Sequence, residues 1–260
     1  MSLRRKRLFA VVLCVCGVAG LVAYTTSDGM GRDQLRVIVQ QQCLPHWLQS
    51  HDPSPCVSVN TAGNGSVDDG YAVLHDQKGG AHFLLIPTRT IRGIESAEVR
   101  TPGAPNYFEA AWKARGALTA VMGRRLPRSM VGLAVNSVHT RSQDQLHIHI
   151  SCLRPFVYHA LLAQASRIRD SWSVIRIGLW HYQAMRIMGG QLGATNPFAL
   201  VANRLPSATG AMAHYTLLVA GAQFDEGPGF VVLAGTAQPA AELLLDSSCA
   251  ASKLSPDLIG

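Results

Sequence analysis

The seven residues Gln145-Leu146-His147-Ile148-His149-Ile150-Ser151 alternate polar and apolar without a break, and that alternation reads as a β-strand. Successive side chains of a strand point to opposite faces. Leu146, Ile148 and Ile150 therefore fall in one layer, and Gln145, His147, His149 and Ser151 in the other. The chain must build a sheet with an apolar layer on one side and a place for two imidazoles on the other. Two rings spaced i, i+2 on one face are costly to bury without partners. Exposure on an edge strand, metal ligation by an HxH pair, hydrogen bonding within a core and nucleophilic catalysis all answer the pattern.

The rest of the chain supplies the sheet. Tyr71–Leu74 and His82–Ile86 are apolar runs on either side of Asp76-Gln77-Lys78-Gly79-Gly80, a hairpin signature. Val131–Val135 and Leu146–Ile150 read as two further strands joined by the polar loop Asn136–Gln143. His214–Val219 and Phe230–Ala234 read as a hairpin turning at Gly227-Pro228-Gly229. Helical spacing appears in Leu35, Ile38 and Val39 within residues 31–42, and over residues 106–122 with Asn106 as N-cap. Ala160–Arg169 also looks helical. Pro45, Pro53 and Pro55 break regular structure after residue 42, and residues 60–70, rich in Gly, Asn, Ser and Asp, form a loop. The fold class is α+β, an antiparallel sheet with packed helices. A hydrophobic share of 48% against 15% charged residues is ample for a core and excludes global disorder.

At the N-terminus Arg4-Arg5-Lys6-Arg7 precede Leu8–Tyr24, seventeen residues without a charge. That length sits at the short end for a membrane span. A cleaved signal peptide is the rival reading; a single N-terminal transmembrane helix is favoured because apolar residues run on through Leu21, Val22 and Ala23. The positive-inside rule then puts residues after Asp28 outside the cytoplasm. Residues 1–28 read as basic tip and anchor, and 29–260 as one catalytic domain. The four basic residues at the tip account for much of the net charge of +7, leaving +3 (7 − 4) dispersed over the remainder. No dense basic stripe with interleaved aromatics occurs, so no nucleic-acid partner is expected. Cys43, Cys56, Cys152 and Cys249 form an even set in an exported domain, where disulfides are expected. Three pairings are possible; Cys43–Cys56 with Cys152–Cys249 is favoured, and a zinc site is the alternative.

The stretch 145–151 resembles the histidine-triad motif, and Ala81-His82-Phe83-Leu84-Leu85-Ile86-Pro87 resembles the early strand of that superfamily. Ala134-Val135-Asn136-Ser137 is similar to its strand-ending Asn. More specific are Gln-Gln-Cys-Leu-Pro at 41–45, Pro-Ser-Pro-Cys at 53–56, Thr101–Phe108 and His147–Pro155. With the anchor, these resemble the bacterial CDP-diacylglycerol pyrophosphatases, a membrane-anchored, histidine-triad-like branch. One position departs from the motif: Gln145 stands where the triad has its first His.

That resemblance implies a periplasmic, inner-membrane hydrolase that splits CDP-diacylglycerol, itself held in the membrane, into CMP and phosphatidate. His147 is the implied catalytic nucleophile, forming a cytidylyl-imidazole. His149 and Gln145 are implied phosphate contacts where charge develops, with Asn136, Ser142 and His82 as further substrate-binding candidates. His82 reads equally well as a structural residue, and Trp112 reads as core. No metal and no cofactor is implied. The alternatives are a hydrolase of a soluble nucleoside diphosphate conjugate and a non-catalytic periplasmic binding protein.

Overall fold

A computed structural model of the chain describes residues 27–62, 65–236 and 238–253. Its strands are β1 (Ser58–Asn60), β2 (Tyr71–His75), β3 (His82–Pro87), β4 (Val131–Val135), β5 (Ile148–Leu153), β6 (Ser173–Ile177), β7 (Trp180–Met188), β8 (Thr216–Phe224), β9 (Gly227–Gly235) and β10 (Leu245–Asp246). They pair antiparallel in the order β1-β2-β3-β5-β4-β8-β9-β7-β6, and β10 adds to β5 beyond the end of β3. The α+β, antiparallel expectation therefore holds. The proposed anchor, Leu8–Tyr24, lies outside the described residues. Among the described residues no helix is long and apolar enough to cross a membrane.

The helices are α1 (Ser27–Ile38), α2 (Leu44–Ser50), α3 (Tyr107–Ala114), α4 (Gly116–Met122), α5 (Pro155–Ala163) and α6 (Pro197–Arg204). One face of the sheet carries Phe83, Leu85, Leu133, Ile148, Ile150 and Phe230 against Phe108, Trp112, Leu118 and Phe198 of α3, α4 and α6. Burying one such aromatic contributes about 1.5–3 kcal/mol. The opposite face is covered in two patches. Leu35, Val39 and Cys43 of the α1 segment pack on Ala72, Leu74, Leu84 and Ile86. Val157, Tyr158 and Leu161 of α5, with Ala241 and Leu244, pack with Leu153, Leu218 and Leu233. Between these two patches the polar face of β5 meets a gap, which fixes where chemistry can occur.

Several boundaries differ from the periodicity reading, each for a local reason. Pro45 does not end the first helix; a five-residue wide turn, Val39–Cys43, leads into α2, whose first turn has no need of the missing proline N–H. The helix over residues 106–122 is two helices. Asn106 caps the first by accepting from the Glu109 N–H. The break falls at Arg115, where the guanidinium donates to the Trp112 carbonyl and Gly116, a weak helix former, follows. The helix expected at 160–169 begins at Pro155, directly after β5. In the β8–β9 hairpin, Asp225 and Glu226 make the turn, and Gly227-Pro228-Gly229 already pair with Phe224, Gln223 and Ala222. The strand through the histidines begins at Ile148, after Leu146 has donated its N–H to the Ile91 carbonyl.

Both favoured disulfides are present, Cys43–Cys56 and Cys152–Cys249. The first fastens the turn after α1 to the segment preceding β1. The second joins β5 to the residues following β10, and so holds the 241–246 segment over the histidine face.

Candidate active site

The polar face of β5 sits in the gap by simple alternation. Leu146, Ile148 and Ile150 are consumed by the core under α3, so His147 and His149 project to the other side, buried to 6% and 4% exposure. A cleft of about 170 Å³ opens there, lined by both histidines, Asp76 and Lys78 of the β2–β3 turn, Gln34 and Leu35 of α1, Ser142, Gln143 and Glu242. The loop 136–145 is braced from below. Arg141, 7% exposed, pairs with Glu95 at 2.7 Å and Asp144 at 3.1 Å. Arg32 of α1 grips the same Asp144 at 2.9 Å, holding its carboxyl down to about 2 through the guanidinium hydrogen bond.

His147 donates from Nδ1 to the Gln145 main-chain carbonyl at 2.7 Å. A carbonyl can only accept, so the ring proton belongs on Nδ1 and Nε2 keeps its lone pair. Burial pushes the ring's pKa below the ordinary histidine value, partly offset by that hydrogen bond and by Glu242, so the neutral form prevails near pH 7. A buried, neutral imidazole with one fixed tautomer can act as a nucleophile at Nε2.

His149 is placed differently. Its Nδ1 lies 3.0 Å from His82 Nε2, and its Nε2 lies 3.1 Å from Glu242 without the alignment of a hydrogen bond. Asp76 is 3.7 Å from His82 Nδ1, beyond hydrogen-bond reach. Burial pushes both rings down, His149 well below the ordinary value, and His147 and Lys78 add repulsion to His149. Two neutral rings hold two protons, and the 3.0 Å contact uses one of them. With His82 Nε2 as donor the other proton lies on His149 Nε2, at the cleft beside Glu242; with His149 Nδ1 as donor, His149 Nε2 keeps its lone pair. In the first arrangement His149 offers an N–H where His147 offers a lone pair. The Asp76, His82 and His149 ligand atoms lie within 4.8 Å of one another, a donor set that a divalent ion could use.

Of the residues named from sequence, His147, His149 and Ser142 line the cleft. Gln145 is not among its lining residues: its side-chain amide donates to the Pro87 and Arg89 carbonyls, at the end of β3 and just after it. Being on the same face as His147 fixed its side but not its reach. Asn136 also stands back; its Oδ1 accepts the Glu242 N–H at 3.3 Å and so positions that residue. His82 stands behind His149 and not in the cleft. Sequence reasoning missed Glu242, which sits in an unpatterned stretch with no motif to mark it. Asp76 and Lys78 had a faint signal, since they occupy the turn that precedes His82 in the hairpin.

The sequence profile of a family described as CDP-diacylglycerol pyrophosphatase matches residues 30–253. A CDP-diacylglycerol pyrophosphatase of Yersinia pestis is 35% identical over 256 residues, covering 94% of each chain.

Proposed function

This chain belongs to the CDP-diacylglycerol pyrophosphatase family and hydrolyses the phosphoric anhydride of CDP-diacylglycerol; on that premise we propose that His147 is its nucleophile. The observation that carries the proposal is the 2.7 Å hydrogen bond from His147 Nδ1 to the Gln145 carbonyl, which leaves a lone pair on Nε2 at the cleft. Nε2 attacks the phosphorus attached to cytidine. An N–P bond forms, the bridging P–O bond breaks, and phosphatidate leaves. Water then attacks the cytidylyl-imidazole, and CMP departs as His147 regains its neutral ring. One difficult displacement becomes two easier ones.

His149 donates its Nε2–H to a phosphoryl oxygen as negative charge accumulates. His82 fixes the His149 tautomer from behind, and Asn136 fixes Glu242 from the side. Glu242 takes the proton from the water of the second step, acting as general base. Lys78 and Ser142, at the mouth, meet the anionic diphosphate. The sheet, the His82 strand and the 145–151 alternation support a histidine-triad-like domain in which Gln145 serves through its backbone.

Residues 1–28 anchor the chain in the inner membrane, and 29–260 form the catalytic domain in the periplasm. The basic tip before an uncharged run supports this, as do two disulfides, which belong to an oxidising compartment. A tether keeps the enzyme concentrated at the surface where its lipid substrate resides. The test of the chemistry is product analysis after incubation with CDP-diacylglycerol and, in parallel, a soluble CDP ester. CMP and phosphatidate from the lipid are the expected products; faster cleavage of the soluble ester would shift the natural substrate away from the membrane.

A further inference from the structure

On the layer opposite the histidines, the corner between α3 and α4 and the loop returning to β4 enclose a second pocket of about 610 Å³. Lys113, Arg115, Arg125 and Arg128 line it, with Thr119 and Leu126 between them, and no carboxylate is among its lining residues. It shares no residue with the catalytic cleft.

The four cations are poorly compensated. Lys113 has Glu109 at 3.2 Å. Arg115 donates to the Trp112 carbonyl and lies over the Trp112 ring, 4.0 Å from its guanidinium carbon, with Glu109 a weaker favourable charge. Arg128 donates from Nη2 to the Gly229 carbonyl at 2.7 Å and lies 4.9 Å over Phe230, while its Nε is buried without a partner among the described residues. Both arginines are half-buried, and each is pushed down first by burial and then by a like-charged neighbour, Arg125 on Arg115 and Arg115 on Arg128. The backbone is built to hold this arrangement. Gly221 of β8 leaves room for the Arg128 main chain and the Trp112 ring, both of which a side chain there would strike. Guanidinium groups stacked on aromatic faces keep their in-plane N–H groups free for oxygen acceptors, and four clustered cations that share one neighbouring carboxylate among the described residues, Glu109, form a site for an anion.

We propose that this pocket binds a phosphate-bearing anion, held by Arg115 and Arg128 with Lys113 and Arg125 at its rim. The same chemistry is offered by the headgroup of an acidic lipid and by a free phosphate.

Thermal melting of the full chain in neutral detergent tests this, with three probes: inorganic phosphate, a short-chain phosphatidate, and a phosphatidylcholine of equal chain length as control. The expected result is a saturable rise in Tm with phosphate or phosphatidate and none with the choline lipid. A larger rise with phosphatidate identifies the source as lipid, and equal rises identify free phosphate. Lys113→Gln with Arg125→Gln, both exposed side chains, should weaken the response about tenfold, with unchanged Tm in the absence of probe and unchanged turnover. Arg115→Gln with Arg128→Gln should abolish it. No rise with either anion overturns the proposal. So does a rise that survives undiminished in the Lys113→Gln, Arg125→Gln protein, since the anion then sits elsewhere, such as the catalytic cleft.

Discussion

His147 Nδ1 donates to the main-chain carbonyl of Gln145 across 2.7 Å, so the backbone of Gln145 orients the proposed nucleophile. The Gln145 side chain is occupied elsewhere, donating to Pro87 and Arg89. Gln145→Ala keeps the carbonyl and loses the two side-chain bonds. Stability should fall by about 1–3 kcal/mol, while kcat falls less than about tenfold. Urea unfolding and steady-state kinetics on the same preparation check both. A hundredfold loss of kcat at unchanged stability would put the side chain back on the substrate.

The two cleft histidines should separate in a trapping experiment. CDP-diacylglycerol labelled on the cytidine-proximal phosphate is incubated briefly with the protein and quenched at alkaline pH, where a phosphoramidate survives. His147→Ala should carry no label and no turnover. His149→Ala loses one contact to developing charge, a cost of about 10²–10³ in rate, and should still label slowly. Equal labelling of the two variants would mean that the wrong histidine has been assigned.

Glu242→Gln keeps size and removes the base for the second step. Labelled protein should accumulate, because the adduct still forms and its hydrolysis slows by about 10²–10⁴. Unchanged steady-state labelling together with full turnover would remove Glu242 from the chemistry.

The pH dependence follows from the buried rings. His147, His149 and His82 all titrate below the ordinary value in the folded chain, with burial the first cause in each. Each therefore binds a proton more readily when unfolded. The stability they contribute is present above an unfolded pKa of about 6.5 and is lost as pH falls through the folded values. The acid limb of kcat/KM should likewise lie below about pH 6.5, because His147 stays neutral to lower pH. Glu242, Asp76, Lys78, His75 and Arg141 modulate these rings. Urea midpoints and kcat/KM measured down to about pH 5 decide the matter; a limb above about pH 7 would contradict a depressed His147.

The disulfides should differ in weight. Cys152–Cys249 closes a separation of 97 residues and Cys43–Cys56 one of 13. In the chain-entropy account the first contributes about 4–5 kcal/mol and the second about 3. Replacing Cys152 and Cys249 by Ser should also lower kcat, since that bridge holds the segment carrying Glu242. Equal loss of kcat in the Cys43/Cys56 pair would disconnect the bridge from the site.

The sequence by itself determined the strand through His149, the side of the sheet on which His147 and His149 project, and the β2–β3 hairpin that delivers His82. These follow from alternation, a property of the covalent chain that tertiary context rarely reverses when one face is apolar. It also pointed to both disulfide pairs. The tertiary structure decided how far each side chain reaches. Gln145 shares a face with His147, yet the end of β3 and the residues beyond it lie closer to its amide than the cleft does. Glu242 arrives from about a hundred residues away, brought by β10 pairing on β5 and locked by Cys152–Cys249. Local periodicity carries no record of such long-range pairing; for a related reason it ran one helix across Arg115 and set the hairpin turn beyond Asp225. A helix breaks where a guanidinium competes for a carbonyl, and a hairpin turns where register with its partner strand permits.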